Sequence, residues 1–90
     1  MTLTPVYTRR FKKGLDLMTR RGKDAEKIKG VMLKLINREP LEARHRDHAL
    51  SGKYKGFRDC HVEPDWLLIY RYEGESIIFE ITGTHADLSG

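Results

Sequence analysis

FRDCHVEPDWLLIYRYEGESIIFEIT, residues Phe57 to Thr82, decides the fold. Phe57 to Val62 reads as a strand, and Glu63-Pro64-Asp65 as the turn that ends it. Trp66 to Tyr72 is rich in β-branched, aromatic and aliphatic residues and reads as a strand of buried character. Glu73-Gly74-Glu75 is a tight connection, and Ser76 to Thr82 is a further strand. Three strands joined by short turns form an antiparallel meander. Gly83 breaks the last strand and leaves His85 to Leu88 as a short tail.

Upstream the period changes from two to that of a helix. Phe11, Leu15 and Met18 fall on one helical face, after Thr8 as a cap and before Gly22 as a stop at about Arg21. Asp24 caps a second helix through about Arg38, with Ile28, Val31, Met32, Leu35 and Ile36 as its apolar stripe and Pro40 beyond its end. The short link predicts an antiparallel helix pair. Met18 and Met32 are expected to fill core. Leu3 to Tyr7 is an opening strand, placed at a sheet edge or near a strand start by Pro5. Leu41 to Leu50 is irregular, and Gly52 and Gly56 bracket a turn. The expected class is α+β: an N-terminal strand and an antiparallel helix hairpin packed on an antiparallel β-sheet, in one domain over residues 1–90.

The net charge is +4, with the cations densest between Arg9 and Lys34, which suggests an anionic partner such as nucleic acid. The longest apolar run, Trp66 to Tyr70, is far too short to span a membrane, and the N-terminus has no apolar core of a secretory signal. Cys60 is the sole cysteine, so an internal disulfide and a multi-cysteine metal site are excluded. A reducing cytoplasm is the expected compartment. A three-histidine zinc site would need spacings that match no established signature.

Strand alternation puts Phe57, Asp59 and His61 on one face and Arg58, Cys60 and Val62 on the other. Cys60 therefore points away from His61 and is not expected to act as a nucleophile. Asp59 is placed to orient the His61 imidazole or to raise its pKa, and Asp65 lies just across the turn. His48 lies in the preceding loop and His85 in the tail, so whether they converge on His61 is a tertiary question. Converging histidines would suit paired general base and general acid roles. RNA supplies its own nucleophile, the ribose 2′-OH, so such a pair needs only added positive charge for the transition state. Lys53, Lys55, Arg58 and Arg71 are candidates for that charge, and Tyr54, Phe57 and Trp66 for stacking an unpaired base. For Trp66 a core position is the commoner fate, and His45 is expected to be a solvated loop residue.

RDHALSGKYKGFRDCHVEPDWLLIY, residues Arg46 to Tyr70, together with ITGTHADLSG, residues Ile81 to Gly90, resembles the YafQ-like toxins of the RelE superfamily. The likeness runs from about Asp47 to His85, and HVEPDW followed by a buried strand and a terminal Gly-Thr-His is its most specific part. It implies a RelE-like α+β domain and the toxin of a bacterial type II toxin–antitoxin system. Such toxins are ribosome-dependent endoribonucleases that cut mRNA in the A site without metal or cofactor and are held inactive by a cognate antitoxin. Contact with ribosomal RNA, and operator binding by the toxin–antitoxin complex, follow from the same resemblance. The matching site residues are His48, Asp59, His61, Asp65, Trp66 and His85. By that likeness the three histidines share acid–base work and phosphate contact, and Asp65 supports them.

Two positions depart from the pattern. Ile81 stands where related toxins often carry an arginine, and Ser89 where many carry an aromatic residue. Arg71 or Arg58, on neighbouring strands, is the expected substitute for the missing charge. The alternatives are a catalytically weak or dead member that binds only antitoxin or DNA, and a gyrase-directed toxin of the ParE branch.

Overall fold

The computed structural model describes residues 2–89. Its strands and α-helices are β1 (Thr4–Tyr7), α1 (Arg9–Arg20), α2 (Ala25–Ile36), β2 (His48–Ala49), β3 (Arg58–Glu63), β4 (Trp66–Glu73), β5 (Ser76–Gly83) and α3 (His85–Ser89), with single 3-10 turns at Ala43–His45 and Gly52–Tyr54. The order agrees with the sequence expectation, with two additions. His48 and Ala49 form a short strand inside the stretch expected to be irregular, and the tail coils into a helical turn.

Both helices of the hairpin are capped as their sequences dictate. The Thr8 hydroxyl oxygen accepts from the Phe11 N–H at 3.0 Å, and the Asp24 carboxylate accepts from the Glu26 N–H at 2.9 Å. Each helix ends in the paired hydrogen bonds of a Schellman motif. Lys23 N–H donates to the Met18 carbonyl and Gly22 N–H to that of Thr19; Glu39 N–H donates to Lys34 and Arg38 N–H to Leu35. The second motif stops α2 at Ile36, two residues before the expected Arg38, and Arg38 takes a left-handed backbone with φ of 60°.

The sheet has the order β1-β5-β4-β3-β2. Strands β2 to β5 pair antiparallel, as the turns between them require. Strand β1 runs parallel to β5, with Thr4 opposite Ser76 and Tyr7 opposite Phe79, so the sheet is mixed and not wholly antiparallel. No tight turn links β1 to its partner, so nothing local dictated its direction. Its edge position is as Pro5 implied.

Where β1 ends, α1 takes over the edge of β5. Thr8 N–H donates to the Phe79 carbonyl and the Thr8 hydroxyl to that of Glu80. Two turns on, a Cβ at Gly14 would stand 2.2 Å from the Thr82 carbonyl oxygen. Only glycine lets the helix lie this close to the strand. Gly14→Ala is therefore expected to push α1 off β5 at a cost of about 1–3 kcal/mol. Thermal unfolding followed by circular dichroism should show a midpoint lowered by roughly 4–8 °C per kcal/mol.

One buried cluster joins Phe11 and Met18 of α1, Ile28 and Met32 of α2, and Cys60, Trp66, Tyr70 and Phe79 of the sheet. Met18 and Met32 are core filler as expected. Cys60 is fully buried and its thiol is pushed far up by desolvation, which removes it from nucleophilic chemistry. No helix among the described residues is long and apolar enough to cross a membrane.

Candidate active site

The opposite face of β3 presents Asp59 and His61, as alternation requires. The register of β3 against β4 shifts between His61 and Glu63, a bulge that re-aims the strand at its end. Across the β2–β3 ladder, His48 sits directly opposite Asp59. The Asp59 Oδ2 atom lies 3.8 Å from His48 Nε2 and 3.9 Å from His61 Nε2. The His85 ring meets the His61 ring edge-on, with centroids 5.7 Å apart. The three histidines named from the sequence thus do converge, around Asp59.

Backbone and carboxylate partners set the tautomers. His48 Nδ1 lies 2.6 Å from the Arg46 carbonyl oxygen, which can only accept, so Nδ1 carries the proton and Nε2 faces Asp59. His85 Nδ1 lies 2.5 Å from Asp65 Oδ1, and the same oxygen accepts from the His85 backbone N–H at 2.9 Å. That leaves His85 Nε2 free for chemistry. The backbone N–H of His85, then its ring, hold the Asp65 carboxyl below its usual range, so Asp65 remains an anion that orients the ring.

Asp59 is shifted the other way. Burial raises its carboxyl, and the charges of His61, His48 and His85 offset this only in part. Its Oδ1 atom is buried without a hydrogen-bond partner among the described residues. A raised carboxyl is tolerated best when protonated, so its cost to the fold grows as pH rises through its folded pKa and persists above it. At pH 8 Asp59→Asn is expected to stabilise the domain by about 1 kcal/mol, since it removes a poorly partnered buried charge. The same change should lower the catalytic rate. Thermal melts at pH 8 beside a cleavage assay check both signs.

A cavity of about 410 Å³ adjoins this cluster, with Arg10, Lys53, Tyr54, Phe57, Asp59 and Ile81 among its walls. Tyr54, Phe57 and Lys53 therefore share one cavity with Asp59. Lys53 also sits 5.3 Å from the Tyr54 ring centroid. Lys55 is exposed on the same loop.

Other expectations are corrected. Trp66 is wholly buried, with its indole N–H donating to the Thr82 hydroxyl at 3.0 Å, so it has no face to offer a base. Arg58 projects from the core-facing side of β3 and reaches Asp47 and the Tyr70 hydroxyl, both at 3.3 Å. Arg71 is held by Glu80 at 2.8 Å and Glu73 at 3.2 Å. Both arginines are thus engaged by carboxylates of the chain itself. His45 is buried, not solvated, and its Nδ1 lies 2.6 Å from the His61 carbonyl, so it braces the strand beneath the site.

Five residues that shape the site carry no motif in the sequence. Arg10 and Gly14, with Arg21 further along, form a stripe beside the apolar face of α1, visible in helical spacing but meaningful only once α1 is known to border β5. Asp47 accepts from the Tyr70 hydroxyl at 2.5 Å and pairs with Arg58, and thereby fixes the segment that carries His48. Asp87 acts at the other end of the site, on the turn before His85.

Comparison with known proteins agrees with this fold. The family model described as "Bacterial toxin of type II toxin-antitoxin system, YafQ" matches residues 3–90. The chain belongs to the YafQ family. It is 48% identical over 85 residues to the mRNA interferase toxin YafQ of Escherichia coli K12, covering 93% of this chain and 92% of that one. The crystal structure of YafQ from E. coli BL21(DE3) superposes with a TM-score of 0.91 at 45% identity, over 98% of this chain and 99% of the other. YafQ in the E. coli DinJ–YafQ toxin–antitoxin complex gives 0.90 at 45% identity over the whole of both chains. A copper-bound mutant toxin from Helicobacter pylori gives 0.92 at 36% identity, over 96% and 98%. As a YafQ-family member the chain is a type II toxin, with the RelE-like α+β architecture expected.

Proposed function

We propose that this YafQ-family toxin is an mRNA interferase that cuts mRNA in the ribosomal A site through the ribose 2′-OH. The convergence of His48, His61 and His85 around Asp59 carries this reading, in a chain close to a named mRNA interferase. One imidazole takes the 2′-OH proton, and the oxygen attacks the adjacent phosphorus. The bond from phosphorus to the 5′-oxygen breaks, and a second imidazole gives that oxygen a proton. The products are a 2′,3′-cyclic phosphate and a 5′-hydroxyl. Protons and bonds balance with the substrate's own nucleophile, so the step calls for no metal or cofactor. Asp65 orients His85, and Asp59 couples His48 to His61. Arg10 and Lys53, both in the cavity lining, supply positive charge for the reacting phosphate.

The basic surface of α1 and α2, with Lys53 and Lys55, grips ribosomal RNA in a contact that weakens as salt rises. An acidic or amphipathic antitoxin segment that folds on binding is the expected protein partner, as the DinJ–YafQ complexes of E. coli suggest by analogy. The complex would then bind operator DNA, and the site of action is the cytoplasm, where the ribosomes are. Induced expression should arrest bacterial growth, and His61→Ala or His85→Ala should relieve the arrest while the domain stays folded. Arrest that persists in both variants contradicts the proposal. The aliphatic Ile81 in the cavity wall favours a second reading, a catalytically weak member. Nothing in the geometry favours a gyrase-directed binder, which has no need of clustered imidazoles.

A further inference from the structure

We propose that Arg21 and Asp87 are positioning residues that hold His85 in the catalytic cluster, an inference that rests on the endonuclease reading. His85 opens α3, a helix of five residues at the end of the described chain. A helix that short does not sustain itself. The His85 side chain is 60% exposed, so burial does not fix it. Its place must come from polar ties.

One tie is Asp65, already described. Its own side chain is 64% exposed, on the turn between β3 and β4. The second tie runs through Asp87. Its Oδ2 atom accepts from the Thr84 backbone N–H and from the Thr84 hydroxyl, each at 2.9 Å. The Asp87 N–H lies 3.2 Å from the Thr84 hydroxyl oxygen, which closes a capping box around the residue before His85. Gly83 completes the fit, because a Cβ there would stand 3.0 Å from Asp87 Cβ.

A capping box fixes α3 to itself but not to the rest of the molecule. Arg21 makes that connection. Its Nη1 donates to Asp87 Oδ2 at 2.7 Å and its Nη2 to Asp87 Oδ1 at 3.1 Å, a two-pronged grip from the end of α1. The guanidinium, together with Thr84, holds the Asp87 carboxyl far below its usual range. Arg21 is itself set by the Schellman turn that ends α1 at Gly22. The path therefore runs from α1 through Arg21 and Asp87 to Thr84 and His85. An exposed ion pair adds little to stability, so what this one supplies is geometry. A planar fork fixes direction in a way that a lysine ammonium does not.

The test is single-turnover RNA cleavage on programmed ribosomes by the full chain, with Arg21→Ala, Arg21→Lys and Asp87→Asn, beside imidazole NMR of the free proteins. Misplacing a catalytic group by about 1 Å can cost a hundredfold in rate, so Arg21→Ala should lower kcat by about ten- to a hundredfold, with KM nearly unchanged. Arg21→Lys should fall between Arg21→Ala and the parent. Asp87→Asn keeps the Thr84 cap and should match Arg21→Ala, and the double variant should be no worse than either single. The His85 ring resonances should shift or broaden in the variants, while those of the buried His45 stay put. Cleavage within about twofold of the parent in both Arg21→Ala and Asp87→Asn would overturn the proposal. If the parent itself does not cleave, the endonuclease reading fails, and the NMR arm still decides the positioning: unchanged His85 resonances in Arg21→Ala would overturn it.

Discussion

Replacing His85 by Ala should reduce RNA cleavage by about 10²- to 10⁴-fold, the range for loss of a positioned proton-transfer group. The His85 ring is fixed at Nδ1 by Asp65 and packs edge-on to the His61 ring, so the variant loses an imidazole at the place where one is held ready. The residue is exposed and outside the buried cluster, so the thermal midpoint should stay within about 2 °C of the parent, as for surface substitutions generally. Alanine at His61 should cost cleavage a similar factor, and the double variant should fall well short of the product of the two, because both act in one step. The assay is single-turnover cleavage, with melts of each protein alongside. A His85→Ala protein that cleaves at the parental rate would remove the imidazole cluster from the mechanism.

The second large effect is on stability. Trp66→Ala should destabilise the domain by about 3–5 kcal/mol, the cost of emptying a buried aromatic site, which is a large share of the stability of a domain this small. Trp66 is wholly buried in the core cluster, and its indole N–H satisfies the Thr82 hydroxyl, which in turn donates to the Leu67 carbonyl at 2.6 Å. Trp66→Phe should lose less stability and keep most of the cleavage rate in the fraction that stays folded. Urea unfolding of both variants, with cleavage normalised to folded protein, makes the comparison. If Trp66→Phe were fully stable but inactive, Trp66 would have to contact RNA after all, against its burial.

What the sequence disclosed and what it hid differ by the kind of interaction. Strand alternation set Asp59 and His61 on one face and Cys60 on the other, because that depends only on the backbone of β3. Cap residues and apolar stripes marked α1 and α2 for the same local reason. The direction of β1 was hidden, since its partner is at the other end of the chain. The meeting of His48, His61 and His85 was suggested by resemblance and not by spacing, because it depends on the β2–β3 register and on where α3 docks. The pairing of Arg58 and Arg71 was equally nonlocal: each finds a partner, Asp47 or Glu80, that no motif announces. His45 misled because a histidine flanked by Arg44 and Arg46 looks solvated, and only the packed fold shows it under His61.

In the proposed mechanism converging histidines cut RNA through its own 2′-OH. Its most direct test is 5′-end mapping of an mRNA incubated with the purified protein, with and without programmed ribosomes, with His85→Ala in parallel. New 5′-hydroxyl ends should appear only with ribosomes, match upstream fragments ending in a 2′,3′-cyclic phosphate, and vanish in the variant. A folded protein that makes no cuts on either template, or cuts that survive His85→Ala, would contradict it.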